Sequence, residues 1–480
     1  MRTDVVRKLG SVLKNLHLYN CLLLTVAGLL LAYKVVFIDM RGVPPLAVGD
    51  LAMSYAMVEA LCDQIKHMHP ALWGRWTWYK YGGDLFLTYY SMLSFFILAF
   101  AKSLTGVSTE ALSRGVVFAL YPLIALASYV FSYECSGDKK AALVGGFAML
   151  AINYLVVILV KGWAISHLFA ALMAPIYMTA VEKAMKGPER SCRYKFLASV
   201  LMVLLIMTHP TFAINIIFYS QLVIPLLRRK FGWDNVLISA CGLGISAFYV
   251  LPGFMYYVIK FGGGPVPEEG YVYPLTASWL PPSLELVKRT YVAIRFLGLV
   301  IMSVQISAMV LIILRKREDE VALSYALCML VSYVSYFLTA SFIHYLAEIN
   351  YPIAQLLHRM TWLNVISFIT TPALAAFLTE ILSAEGHINV GDVGRMVKAL
   401  REWGPVVLLM AILSHIFHEE INISSSASGL SVDFHWGYPS PELKILQIYY
   451  EQLRPSAEFL KFYHYSTKEV LFSSDRSLDR

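Results

Sequence analysis

IDMRGVPPLAVGDLAMSYAMVEALCDQIKHMHPALWGRWTWYKYGGDLFLTYYSMLSFFILAFAKSL, residues 38–104, is the stretch whose reading decides the fold. It fills most of a long connection, residues 37–110, that follows the first apolar run and holds Asp39, Asp50, Glu59, Asp63 and Asp84 among Trp73, Trp76, Trp78, Tyr79 and Tyr81. Long connections in compact proteins are functional or disordered, and aromatic content with helical patterning argues against disorder here. After Gly49-Asp50 the apolar residues Leu51, Met53, Met57, Val58, Leu61 and Ile65 fall largely on one face. That pattern predicts an amphipathic helix lying in a membrane interface, with Asp50 at its N-terminus. The last part of the stretch, 85–104, is apolar enough to cross a membrane, and whether it does fixes the topology of everything after it.

Working outward, 58% of the 480 residues are hydrophobic and 15% are charged. Runs of about 20 apolar residues, each able to span a hydrocarbon core of roughly 30 Å, recur from residue 16 to residue 418. The expected fold is therefore an all-α polytopic membrane protein, and the net charge of +7 is a topology signal that requires no nucleic acid. Cys21, Cys241 and Cys328 lie singly inside apolar runs and no CxxC pair occurs, so neither a metal cage nor a disulfide framework is indicated. Arg2, Arg7, Lys8 and Lys14 precede the run 16–38, which is too long for a signal peptide and lacks a small-residue cleavage site. An uncleaved first helix is expected.

Hydropathy marks candidate segments near 16–36, 85–104, 111–134, 141–160, 163–183, 195–209, 211–227, 235–259, 291–314, 321–344, 360–383 and 403–418. Basic residues cluster at Lys139/Lys140, at Lys183, Lys186, Arg190, Arg193 and Lys195, at Arg228–Lys230, at Arg315–Arg317, and at Arg395, Lys398 and Arg401, all on one side of the membrane. With a cytoplasmic N-terminus and every segment crossing, those clusters would lie outside, against the positive-inside rule. If 85–104 does not cross, they and the basic N-terminus are all inside. Twelve spans with an external N-terminus would misplace only the N-terminal charges and put the acidic connection in the cytoplasm.

The expectation is about 11 transmembrane helices, with two juxtamembrane helices in a first outer loop, 37–110. Residues 1–418 then form a transmembrane domain in the cell membrane, multi-pass, with the N-terminus cytoplasmic. The loops 260–290 and 345–359 and the tail 419–480 face outward, and the tail carries the sequon Asn422-Ile423-Ser424. The tail has one amphipathic stretch, 441–465, broken at Pro455, and no core of its own. It reads either as the start of a longer soluble region or as a docking segment for a protein partner.

Acidic residues just outside a first transmembrane helix, on a loop of interfacial helices, are what glycosyl transfer from a lipid-linked sugar needs. A carboxylate there can deprotonate an acceptor hydroxyl, or hold a divalent cation against the donor's phosphate. The order of a basic N-terminus, helix one, Asp39, Gly49-Asp50 leading an amphipathic helix, an aromatic stretch ending Tyr81-Gly82-Gly83 and the apolar LFLTYYSMLSFFILAF resembles the opening of the GT-C superfamily of integral-membrane glycosyltransferases. More narrowly, it resembles the archaeal and bacterial family catalogued as 6-pyruvoyl-tetrahydropterin-synthase-related membrane proteins. Thr208-His209-Pro210 and Arg359 stand where that family carries a His-Pro pair and an arginine opening a late helix. The resemblance covers roughly residues 15–420. It implies an inverting transfer from a polyprenyl-phosphate donor to an acceptor outside the cell, with membrane lipid around it.

In that reading Asp50 is the first choice for general base and Asp39 the second. Arg359 and His209 would neutralise the departing lipid phosphate, and His344, Glu348 and His358 could line the same pocket. Each has a plainer reading. Asp50 would also cap a helix; Asp39 marks a boundary beside Arg41; His209 caps freed carbonyls; Arg359 snorkels. Glu59 and Asp63, at i and i+4, read as a solvated face, and His67 and His69 lack further metal ligands. GT-C enzymes often carry an Asp-Glu or Asp-x-Asp pair, whereas Asp50 is followed by Leu51-Ala52. The rival is therefore a non-catalytic membrane scaffold or lipid-handling subunit. A secondary transporter ranks lower, because no charge pair and no inverted repeat is legible within the apolar runs.

Overall fold

The computed structural model describes residues 16–39, 57–59, 61–62, 65, 92–159, 165–186, 188–261, 305–316, 318–349, 363–384, 463–464 and 469–470. In chain order the helices are α1 (Leu16–Tyr33), continued by a π-turn over Lys34–Asp39, α2 (Met92–Thr105), α3 (Thr109–Ser136), α4 (Lys139–Leu159), α5 (Ile165–Met185) and α6 (Pro188–Thr208). There follow α7 (Pro210–Leu227), α8 (Trp233–Phe261), α9 (Gln305–Arg315), α10 (Glu320–Ile349) and α11 (Leu363–Ala384). A second π-turn, Tyr219–Val223, lies inside α7. Two-residue strands, Tyr463–His464 and Glu469–Val470, pair antiparallel.

Among the described residues, α1, α3, α5, α7, α8 and α11 are long and apolar enough to cross a membrane. The chain is thus an all-α, multi-pass membrane protein. The segment 403–418 and much of 291–314 lie outside the described residues, as do residues 1–15, 419–462 and 471–480. Residues 85–91 of the segment 85–104 lie outside the described residues; the described part is α2, 14 residues long. Its Phe95, Leu98 and Ala99 are buried against the bundle.

Local sequence explains where the helices turn. Ser108 accepts from the Ala111 N–H (3.3 Å) to start α3, which ends at Gly137 in the left-handed region (φ 74°), its N–H returned to the Tyr133 carbonyl. Asp138 then caps α4 through the Lys140 and Ala141 N–H groups (2.6 and 3.1 Å), and Asp319 caps α10 in the same way. Helices in a bilayer gain little hydrophobic drive from one another, so close packing of small residues matters. A Cβ on Gly28 would meet the Pro122 Cα at 2.6 Å, and one on Gly145 would meet the Pro372 carbonyl oxygen at 2.7 Å. These contacts lock α1 to α3 and α4 to α11.

One end of the bundle collects the basic clusters. Asn20 donates to the Lys139 carbonyl (2.8 Å); Lys186 and Lys183 reach Glu134 (2.9 and 3.6 Å); Lys195 pairs with Asp234 (2.8 Å); Lys230 pairs with Glu320 (2.6 Å); Lys316 pairs with Glu380 and Asp319. These contacts bring together the starts of α1, α4, α6, α8 and α10 and the ends of α3, α5, α7, α9 and α11. The grouping expected from sequence holds for every cluster within the described residues.

The same end corrects an expectation. Arg228 Nη1 and Nη2 donate to Glu182 Oε2 and Oε1, both at 2.8 Å, and the two side chains are 3% and 1% exposed. This is a buried charge pair of the kind the sequence did not disclose. Its members lie 46 residues apart, each at a helix end amid other basic residues.

Candidate functional site

The opposite end of the bundle is built from short-range consequences of the loop sequence. Residues 57–59, 61–62 and 65 are helical, with Met57, Val58, Leu61 and Cys62 buried and Ile65 packed against the core. The apolar face read from the sequence is therefore the face that docks. Cys62 Sγ donates to the Ala99 carbonyl of α2 (3.3 Å). Glu59 is not a solvated side chain as the i, i+4 spacing implied. Its Oε1 accepts from Lys102 Nζ and from Thr109 Oγ1, and Lys102 also donates to Thr109 Oγ1 (3.0 Å). One carboxylate thus joins the loop helix to α2 and the start of α3. Lys102, in the last turn of α2, supplies the cation of this clamp.

Next to this clamp the first helix loosens. Lys34–Asp39 forms a π-turn, whose wider turn interrupts the regular hydrogen-bond ladder, and Arg114 Nη1 donates to the Val36 carbonyl (2.8 Å). The rest of that guanidinium grips Glu110 Oε1 (2.7 and 3.0 Å). π-turns in α-helices are frequent at functional sites. Lys34 within this turn is fully buried, an ionisable side chain inside an apolar run and so a functional signal in its own right. The run LLLAYKVVFID displayed it, and the sequence reading passed over it.

His209 is the candidate placed in full. It is 3% exposed, and its Nδ1 accepts from the Phe212 N–H (3.2 Å), capping the start of α7 ahead of Pro210. It therefore caps amide groups of the helix that follows, and not carbonyls of the helix before. Because Nδ1 accepts, the neutral ring carries its proton on Nε2, which makes His209 a hydrogen-bond donor and not a base in this arrangement. Its ring lies 4.3 Å from that of His167 near the start of α5. Phe212 joins the pair to Phe368 of α11 (5.1 Å). His167 was missed, and only the fold brings the two histidines together.

The remaining candidates are placed by backbone alone or not at all. Asp39 closes the π-turn of the first helix. His344 and Glu348 lie in the last two turns of α10, a helix that starts at the basic end, so they too belong to the opposite end. Asp50 and Arg359 lie outside the described residues. The helix directions thus bring Asp39, His209, His344 and Glu348 to one end of the bundle, the end that carries the docked loop helix. Among the described residues no group of three or more His, Cys, Asp or Glu side chains could hold a metal ion. Neither a scan of family models nor a search of curated proteins finds a match for this chain.

Proposed function

We propose that the protein is a GT-C-like membrane glycosyltransferase, moving a sugar from a polyprenyl-phosphate donor to an acceptor on the extracytoplasmic side. The observation that supports this reading most is the docking of the loop helix onto the end of the bundle shared by Asp39, His209, His344 and Glu348. A loop anchored by Glu59 and by its buried Met57, Val58 and Leu61 can hold a carboxylate over a site with fixed geometry, which orientation-dependent catalysis requires. The positive-inside rule assigns the basic end to the cytoplasm and this end to the outside. In this reading Asp50 takes the acceptor's proton, with Asp39 as second choice. Arg359 grips the donor phosphate with its planar fork, and His209 offers it an Nε2–H.

The experiment is transfer of a labelled sugar from its polyprenyl-phosphate carrier in membranes that contain the full chain. Asp50→Asn keeps the size of the side chain and most of its capping ability, so folding should survive while transfer slows by about 10²–10⁴-fold. Asp39→Asn should leave transfer largely intact; a fall with Asp39→Asn alone would move the base to Asp39. The glycosyltransferase reading fails if both variants make product normally while deletion of the protein abolishes it. In that case a non-catalytic scaffold of the same architecture is the better account.

A further inference from the structure

The buried pair at the basic end is more than a tie between two helices. Glu182 stands at the end of α5 and Arg228 just beyond the end of α7, and α10 supplies two further partners. Tyr325 donates to Glu182 Oε1 (2.6 Å), and Ser324 Oγ accepts from Arg228 Nε (2.8 Å). Each guanidinium nitrogen and each carboxylate oxygen of the pair is thus engaged across three helices, as the low-dielectric surroundings require. Burying two charges is costly even when they are paired, and apolar side chains of the same volume would hold three helices together at least as well. An ionic arrangement at such a place is suited to breaking and re-forming.

What lies beneath it is polar. Tyr177 of α5 shares its hydroxyl with Ser220 (3.0 Å) and Gln221 (2.7 Å) of α7, and Gln221 accepts from Asn235 of α8 (3.3 Å). On the other side of α7 Tyr219 is fully buried beside the equally buried Ser332 of α10. Buried polar groups of this kind take water as a further partner wherever it can reach them. Tyr219, Ser220 and Gln221 all sit in the π-turn of α7, roughly two turns before Arg228. A π-turn is where the hydrogen-bond ladder of a helix is already interrupted, so the short stretch carrying Arg228 can tilt on it. Among the described residues, Lys230–Glu320 is an exposed pair at the rim, which resists opening little, and Lys186 and Lys183 reach the half-buried Glu134 beside it.

We infer that the Glu182–Arg228 pair, clamped by Tyr325 and Ser324, is a gate latch whose release opens the basic end between α5, α7 and α10 and admits water to the polar layer around Tyr219 and Ser332. The protein carries its own reporters. Cys328, one turn along α10 from Ser324, is fully buried beside the layer, while Cys62 is 1% exposed at the far end of the bundle. In the full chain in membrane vesicles, with Cys21, Cys192 and Cys241 replaced by serine and Cys135 kept because it touches Tyr325, N-ethylmaleimide labelling of Cys328 and Cys62 is followed by peptide mass spectrometry. With the latch intact, Cys328 labels faster than Cys62. Glu182→Gln accelerates Cys328 about tenfold or more, because local opening sets the exchange rate of a buried group, and leaves Cys62 unchanged. Tyr325→Phe, which removes one hydrogen bond and keeps the ion pair, gives a smaller acceleration in the same direction and decides the matter alone if Glu182→Gln does not fold. The latch is overturned if Cys328 stays as slow as Cys62 in all three proteins. It is equally overturned if both cysteines accelerate together, which would make the pair a support for the whole fold and no gate.

Discussion

At the basic end of the bundle the helices are joined by charge: a ring of lysine–carboxylate pairs, half-buried to exposed, around a buried, bidentate Glu182–Arg228 core. At the opposite end they are joined by a docked amphipathic helix, one clamp on Glu59, and a cluster of His167, His209, Phe212 and Phe368 rings. The difference teaches how one chain can be rigid and orientable at once. Exposed pairs cost little to make and contribute little, and a positive excess at one end is the feature on which the positive-inside rule acts. The buried pair and the docked loop are where removing a single partner should be felt most at each end.

The largest effect should come from breaking the buried pair. Arg228→Ala leaves Glu182 buried with no countercharge, which costs about 3–5 kcal/mol, seen as a lowered unfolding midpoint of the detergent-solubilised protein. Arg228→Lys should fall between wild type and Ala, since one ammonium cannot occupy both carboxylate oxygens as the guanidinium does. Glu320→Gln, at the rim, is the contrast and should leave the midpoint unchanged. The hydrogen bond from Lys230, with its charge, lowers the pKa of the Glu320 carboxyl. Its small contribution is therefore present above the ordinary carboxylate range and disappears as pH falls through the lowered value. Equal losses for Arg228→Ala and Glu320→Gln would erase the distinction between core and rim.

At the other end, Glu59→Gln keeps the shape of the clamp and removes its charge. The side chains of Lys102 and Glu59 are 20% and 28% exposed, so the loss should be near 1 kcal/mol, smaller than for Arg228→Ala. It should be accompanied by faster alkylation of Cys62, whose thiol is bonded to the Ala99 carbonyl beneath the clamp. Unchanged Cys62 labelling would mean that the loop helix is held by its apolar face alone.

Much of this was legible in the sequence, for physical reasons that also mark where legibility ended. Helix positions follow from apolar runs and from caps such as Ser108, Gly137 and Asp138, which act over a few residues. The one-sided basic clusters follow from alternation, which needs only the order of the helices. The apolar face of the loop helix follows from a period of 3.6 residues. By contrast, Glu182–Arg228 and His167–His209 are pairs between distant helices, and no local pattern records which neighbours a fold will choose. Glu59 failed in the same manner: its spacing to Asp63 is a helix-surface pattern, but the helix lies with Glu59 turned towards Lys102. Lys34 was visible as a lone charge in an apolar run and should have been read as a signal.

The central claim is that the two ends face opposite sides of the membrane, basic end inward. It is tested most directly with single cysteines in a background free of the native ones, one at each end: Lys140→Cys beside the α3–α4 turn and Val107→Cys beside the clamp, where Val107 is 40% exposed. In intact cells a membrane-impermeant maleimide should label Val107→Cys at once and Lys140→Cys only after the membrane is permeabilised. Labelling of Lys140→Cys from outside, with Val107→Cys protected, would contradict the orientation and move the proposed site to the cytoplasmic face.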